Sequence, residues 1–177
     1  MLDELALQGR LCRLRPYRTE DAPALQRQAD DYLVARWMTQ RFPHPYTLTD
    51  AQEWIGRSQS DPRATYAVID VDGALAGGIG FERFEVERHG VAIFGYWLGR
   101  SYWGRGVATE AARMLADYAL TIAGLRRLEA SVFEENAASI RVLEKCGFTL
   151  EGRLRWLYLD RDGAVCDAFL YAKLREG

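Results

Sequence analysis

The chain has 177 residues, 49% of them apolar and 27% charged, with a formal net charge of −2. This is the composition of an ordinary globular chain long enough to bury a core, without the basic excess of a nucleic-acid binder. No run reaches the roughly 20 apolar residues of a membrane span, and Cys12, Cys146, Cys166, His44 and His89 have neither disulfide-frame nor metal-site spacing. The expectation is therefore one domain over 1–177, cytoplasmic, with reduced thiols, no metal, and neither nucleic acid nor membrane as partner. The acidic start, Met1-Leu2-Asp3-Glu4-Leu5, is unlike a basic secretory signal.

In chain order, the alternation at 11–16 predicts a first strand, and Thr19 with Glu20 and Asp21 opens a first helix. A short second helix is expected over 34–38. Pro43 and Pro45 hold 41–46 as an irregular loop. Thr49 with Gln52 reads as a capping box for a helix through Ile55. Strands over 65–71 and 75–84 flank Asp72-Gly73 as a hairpin. The segment 90–98 is apolar on both faces, which predicts a central strand. After Gly104 and Gly106 comes a long amphipathic helix, then strand formers over 127–133. Asn136 caps the next helix, which ends at Gly147. A last hairpin pairs 148–158 with 164–174 across 160–163. The implied fold class is α/β (α+β): a twisted mixed central sheet of about seven strands with helices on both faces.

The segment Gly104-Arg105-Gly106-Val107-Ala108-Thr109 carries the most chemistry. A helix opened after a glycine turn leaves main-chain N–H groups unpaired, with the positive end of the helix dipole behind them. Glycine lets an anion come close, so the turn suits a phosphate or pyrophosphate. A Walker-type loop is excluded because Arg105 and Gly106 stand where Lys and Ser or Thr are needed. A dinucleotide fingerprint is excluded because Thr109 stands at its third glycine. A two-glycine turn on its own is equally an ordinary tight turn that binds nothing.

Combined with the strand and capped helix C-terminal to it, the turn resembles the GNAT superfamily of acetyl-coenzyme A-dependent N-acetyltransferases, and more narrowly its RimJ/RimL-type branch. The residues that carry the likeness are the strand and glycine turn over 95–112, the strand over 127–133, and the helix from Asn136 to Gly147-Phe148. Leu11-Cys12-Arg13-Leu14-Arg15-Pro16 with Glu20-Asp21-Ala22, the loop and helix over 43–55, and the hairpin through Glu151, Asp167 and Tyr171 extend it along nearly the whole chain. One departure is Ser101, where the superfamily's diphosphate signature usually begins with Gln or Arg; Arg100 stands one place earlier.

The resemblance implies a splayed central cleft that admits acetyl-CoA. It implies that the N–H groups of Gly104, Arg105, Gly106, Val107, Ala108 and Thr109 receive the diphosphate, with Arg105 either adding charge or simply solvated. The pantetheine arm would pair with the strand edge at Tyr96, Trp97 and Leu98, as an added strand does. The Leu98 N–H is the candidate oxyanion donor. Asn136 would contact the pantetheine and Ser139 would protonate the leaving thiolate, although both residue types also serve as ordinary helix caps. Arg141 and Lys145 either meet the 3′-phosphate or form a solvated helix face. Glu82 is the candidate base, its alternative being a surface carboxylate grouped with Glu85 and Glu87. Cys146 reads as packing, Trp103 as a residue packed under the helix. Trp37, Phe42, Tyr46 and Trp54 read as core under a long loop, with Tyr46 and the His44 loop also candidates to shape the acceptor site.

The function expected is acetyl transfer to a primary amine by direct attack in a ternary complex, the acceptor being a protein N-terminal α-amine of ribosomal-protein type. A small amine (polyamine, amino sugar or amino acid) is a second reading, and a non-catalytic acyl-CoA sensor a third. The chain is expected as a monomer or homodimer.

Overall fold

The computed structural model describes residues 6–176. Eight strands form one sheet: β1 (Leu7–Gln8), β2 (Arg13–Arg15), β3 (Ala64–Val71), β4 (Ala74–Arg83), β5 (Val91–Leu98), β6 (Arg127–Phe133), β7 (Thr149–Leu159) and β8 (Val165–Leu174). The helices are α1 (Ala22–Ala29), α2 (Tyr32–Ala35), α3 (Leu48–Ser60), α4 (Val107–Thr121) and α5 (Ala137–Lys145). The strand order is β1-β2-β3-β4-β5-β6-β8-β7. The sheet thus has eight strands where about seven were expected, because the two-residue β1 is too short to show a sequence period.

The Asp72-Gly73 turn takes φ values of +52° and +85°, the left-handed pair that a two-residue hairpin requires. Helix α2 begins at Tyr32 rather than 34, because Asp31 caps it by accepting from the Leu33 N–H at 2.9 Å. The capping box of α3 is Thr47 with Asp50, two residues earlier than the Thr49–Gln52 pair. Asp50 Oδ2 accepts from the Thr47 N–H at 2.7 Å, and Thr47 Oγ1 accepts from the Asp50 N–H at 3.2 Å. Both spacings fit the motif; the apolar face of α3 (Ala51, Ile55) selects the earlier start.

Helices cover both faces. On one, α4 lays Ala111, Ala112, Leu115, Ala116 and Ala119 on Ile69, Phe81, Phe94 and Leu128. Four alanines in that stripe let the helix approach the sheet closely. On the other, Leu25 and Ala29 of α1 and Ala51 and Ile55 of α3 meet Val68 and Leu75. Beneath β2 and β3, Asp70 accepts from Arg13 at 3.0 Å and from Arg15 at 2.9 Å, while Arg15 also holds Asp21 through two 2.8 Å bonds.

The feature that places the site is the β5–β6 junction. These strands run parallel but pair at only three positions, Val91 with Arg127, Ala92 with Leu128 and Ile93 with Glu129. Beyond that, β5 stays on β4 as far as Leu98 and β6 stays on β8 as far as Phe133. Each strand follows its outer neighbour, so the two part and leave a V. The Gly99 N–H donates to Ala76 and the Val91 carbonyl accepts from Phe84, so odd-numbered β5 residues bond toward β4. By the alternation of an antiparallel ladder, the main-chain groups of Phe94, Tyr96 and Leu98 face the V.

Candidate active site

The mouth of the V is closed at the C-terminal end of β5 by a turn and the start of α4. Gly104 and Gly106 take φ values of +71° and +79°, and Gly106 is the N-cap of α4 with no side chain to cap it. A Cβ on Gly104 would meet nothing within 4 Å, and one on Gly106 would touch only Leu11 Cδ1 at 3.3 Å. The N–H groups of the first turn, Val107, Ala108 and Thr109, therefore point outward without intrahelical partners. The site fits a diphosphate: open space, converging donors, and the positive end of a 15-residue helix.

Glu110 lies in that same turn, where a free carboxylate would repel an anion. Its charge is taken up by the N–H groups of Arg10, Leu11 and Cys12, at 3.1, 2.6 and 3.0 Å. Burial pushes the Glu110 carboxyl up, but these main-chain bonds outweigh it and hold it below its ordinary range. The neighbouring Cys12 thiol is pushed up to about 12, by burial first and then by Glu110, and is not a nucleophile. Nearly a hundred residues separate Glu110 from its donors, so nothing local in the sequence signals this arrangement.

The arginines differ from expectation in detail. Arg100 is turned away onto Asp31 at 3.0 Å, while Arg105 is exposed with its guanidinium 5.7 Å from the Tyr102 ring centroid. Trp103 is 42% exposed rather than packed under the helix, and its Nε1 donates to the Leu98 carbonyl at 2.9 Å. Arg141 and Lys145 are both exposed, and the Lys145 carbonyl accepts from Arg113 at 3.1 Å. Cys146 is buried and donates to the Thr109 carbonyl at 3.3 Å, as a packing thiol does.

Across the V, Asn136 caps α5 by accepting from the Ser139 N–H at 3.2 Å. Ser139 Oγ lies 2.8 Å from the Tyr96 hydroxyl, which also donates to the Ser139 carbonyl at 3.2 Å. Burial raises the Tyr96 phenol above its ordinary value, so it keeps its proton. The sequence points to Tyr96 only for its main chain; the phenol–serine pair spans two arms that touch only in three dimensions.

Glu82 lies on the opposite face of the sheet. It pairs in register with Ile93, and its carboxylate accepts from the Tyr66 hydroxyl. Burial, and then Glu82, raise the Tyr66 phenol, so Tyr66 remains a donor. The Tyr66 ring occupies the space a Cβ on Gly80 would need, whereas a Cβ on the facing Gly95 would meet nothing within 4 Å. A shallow trough results, floored by Ile93 and Gly95 and edged by Glu82 and Trp97. Its far wall is an aromatic group: Phe42 on Trp97 at 5.5 Å, Trp37 on Phe133 at 6.3 Å, and Phe133 on Tyr158 at 5.1 Å.

The structure thus brings Tyr96, Asn136 and Ser139 together, and it places Gly104, Arg105, Gly106, Val107, Ala108 and Thr109 in the glycine turn and first turn of α4. It does not bring Glu82 to Leu98. Glu82 faces Ile93, and five residues of strand put Leu98 ~17 Å further along. Trp97 points to the trough face with the α1/α3 core, while Tyr96 and Leu98 face α4. Among the described residues no three His, Cys, Asp or Glu side chains gather as metal ligands, and no helix is long and apolar enough to cross a membrane.

The profile of the acetyltransferase (GNAT) domain matches residues 11–149. An N-acetyltransferase, p20, of Bacillus licheniformis is 32% identical over 165 residues, which are 92% of each chain. The spermidine N(1)-acetyltransferase of Escherichia coli K12 is 31% identical over 144 residues, covering 80% of this chain and 75% of that one. Among solved structures, Mycobacterium smegmatis RimJ in complex with CoA-disulfide superposes with a TM-score of 0.84 at 30% identity, over 92% of this chain and 81% of the other. The glycine turn, the splayed strands and these matches agree: the chain belongs to the GNAT family and is an acetyl-CoA-dependent N-acetyltransferase of RimJ/RimL-like kind.

Proposed function

We propose that the acetyl acceptor is the N-terminal α-amine of a protein, of ribosomal-protein type, attacked directly in a ternary complex within one domain spanning 1–177. The observation that carries this is the open trough at Gly95: it adjoins the V yet lies on an exposed sheet face, where a chain end can enter without a lid. The 30% identity to RimJ supports it. A polyamine is the second reading, favoured by the likeness to spermidine N(1)-acetyltransferase. A polycation wants several free carboxylates, however. Of the carboxylates on this face of the sheet, Glu129 is held by Arg88 and Arg127, and Glu82 accepts from Tyr66.

In this reading the diphosphate rests on the N–H groups of residues 104–109 and the pantetheine amides pair with the free edge of β5. The thioester lies at the far end of the pantetheine from the diphosphate, which moves the oxyanion away from Leu98. The Leu98 N–H then serves the pantetheine, its carbonyl being held by Trp103, and the N–H groups of Phe94 and Tyr96, nearer to Glu82 and Ser139, steady the oxyanion. The amine arrives from the trough face, where Glu82 accepts its proton directly or through one water. The thiolate leaves on the other face, toward Ser139 and Tyr96, and takes a proton there. Attack and departure are thus separated by the plane of the sheet.

The test is acetyl-CoA turnover against peptides with free N-termini, spermidine and a panel of small amines. Turnover of unblocked peptides, lost on blocking their N-terminus, is the expected result. Turnover of spermidine alone would replace the acceptor.

A further inference from the structure

The turn between β7 and β8 is fixed by its own bonds. Asp160 Oδ1 accepts from the N–H groups of Asp162 at 2.9 Å and Ala164 at 2.8 Å, and Gly163 has a φ of +84°. Arg161 projects from this turn to a segment 119 to 126 residues earlier. Its Nε donates to the Ala35 carbonyl at 2.9 Å, and its Nη2 donates to Thr39 at 3.2 Å and to Phe42 at 2.6 Å. Gln40 returns a bond from Nε2 to the Asp160 carbonyl at 3.0 Å. Among the described residues no carboxylate pairs with Arg161.

A part-buried guanidinium placed on three carbonyl groups gains no ion pair. What it does is fix the course of residues 35–42: it adds a second bond to the Ala35 and Thr39 carbonyls, which also accept from the N–H groups of Met38 at 3.0 Å and Phe42 at 2.9 Å, and it ties down the Phe42 carbonyl. That course decides where two aromatic rings sit. Phe42 lies 5.1 Å from Tyr46 and 5.5 Å from Trp97, the residue before Leu98, and Trp37 lies on Phe133. The far wall of the trough is therefore made of two segments distant in sequence, joined by one cation.

We infer that Arg161 is a positioning residue for the acceptor: it sets the 35–42 wall against Trp97 and so the fit of the incoming amine, touching neither substrate. This rests on the reading that the acceptor lies in the Gly95 trough. Arg161→Ala raises KM for the amine by about tenfold, the scale of one lost charge-assisted bond, while acetyl-CoA affinity measured by calorimetry stays at the wild-type value. Arg161→Lys gives an intermediate KM, because an ammonium lacks the planar fork that spans three carbonyls.

The probes are an unblocked alanyl peptide and spermidine, with amide hydrogen exchange read in parallel at 36–43 and 104–112. Exchange should quicken at 36–43 and not at 104–112. An unchanged amine KM, an equal loss of acetyl-CoA affinity, or unaltered exchange at 36–43 overturns the inference. If the alanine variant does not fold, the lysine variant reads the same split at smaller amplitude. If only spermidine is acetylated, the N-terminal-amine proposal fails and the role of Arg161 is read on spermidine. If neither is acetylated, the exchange pattern decides it.

Discussion

The donor side and the acceptor side of this enzyme are built in different ways. The donor side we propose is main chain: a glycine turn, the first turn of α4 and the free edge of β5, all within residues 94–109. The acceptor side, in the same proposal, is side chain: Glu82 with Tyr66, Phe42 with Trp97, Trp37 with Phe133, and Arg161 reaching across the fold. Main-chain donors keep their positions whatever side chains the turn carries, so long as φ permits. A wall of side chains from separate segments changes with any one of them. A common cosubstrate suits the first kind of construction, and a variable acceptor suits the second.

Three substitutions sharpen or break this division, from the largest expected effect to the smallest. Gly106→Val puts a β-branched residue at a φ of +79° and intrudes on the anion. Losing two charge-assisted bonds raises KM for acetyl-CoA by about a hundredfold, with KM for the amine unchanged. Steady-state kinetics that left the acetyl-CoA KM at its wild-type value would remove the diphosphate from this turn. Glu82→Gln acts on the other side. An α-amine with a pKa of about 7.8 is roughly one-seventh neutral at pH 7, so loss of the base costs about tenfold in kcat there and little at pH 9. A pH–rate profile unaltered by the substitution would leave Glu82 as no more than the partner of Tyr66. Tyr96→Phe takes away the hydroxyl that holds Ser139. A thiol of pKa about 8.5 leaves well unaided, so kcat falls only about threefold, with both KM values intact. A larger loss at Tyr96 than at Glu82 would place the demanding proton transfer on the thiol face.

Much of the frame was legible because its signals are local. Asp72-Gly73 marked its hairpin, Gly104 and Gly106 their turn, and Asn136 and Gly147 the limits of α5, each through a φ or a cap that few other residues supply. The errors were also local. Thr49–Gln52 and Thr47–Asp50 offer the same spacing two residues apart, and β1 is too short to have a period. The site side chains were less legible. Glu82 could be named, but its link to Tyr66 depends on the missing Cβ of Gly80 across the strand pair. The Tyr96 hydroxyl, the N–H groups that hold Glu110 and the span of Arg161 gave no signal, because their partners lie 43, about 100 and about 120 residues away.

The sequence by itself determined most of the succession of strands and helices, the glycine turn that opens α4 and the family, since each rests on backbone conformations that individual residues impose. Only the tertiary structure decided how far β5 and β6 stay together, which faces carry Glu82 and Ser139, and which side chains surround the open face at Gly95. Those depend on where separate segments meet, and that is fixed by packing across the whole sheet rather than by any residue's own preference.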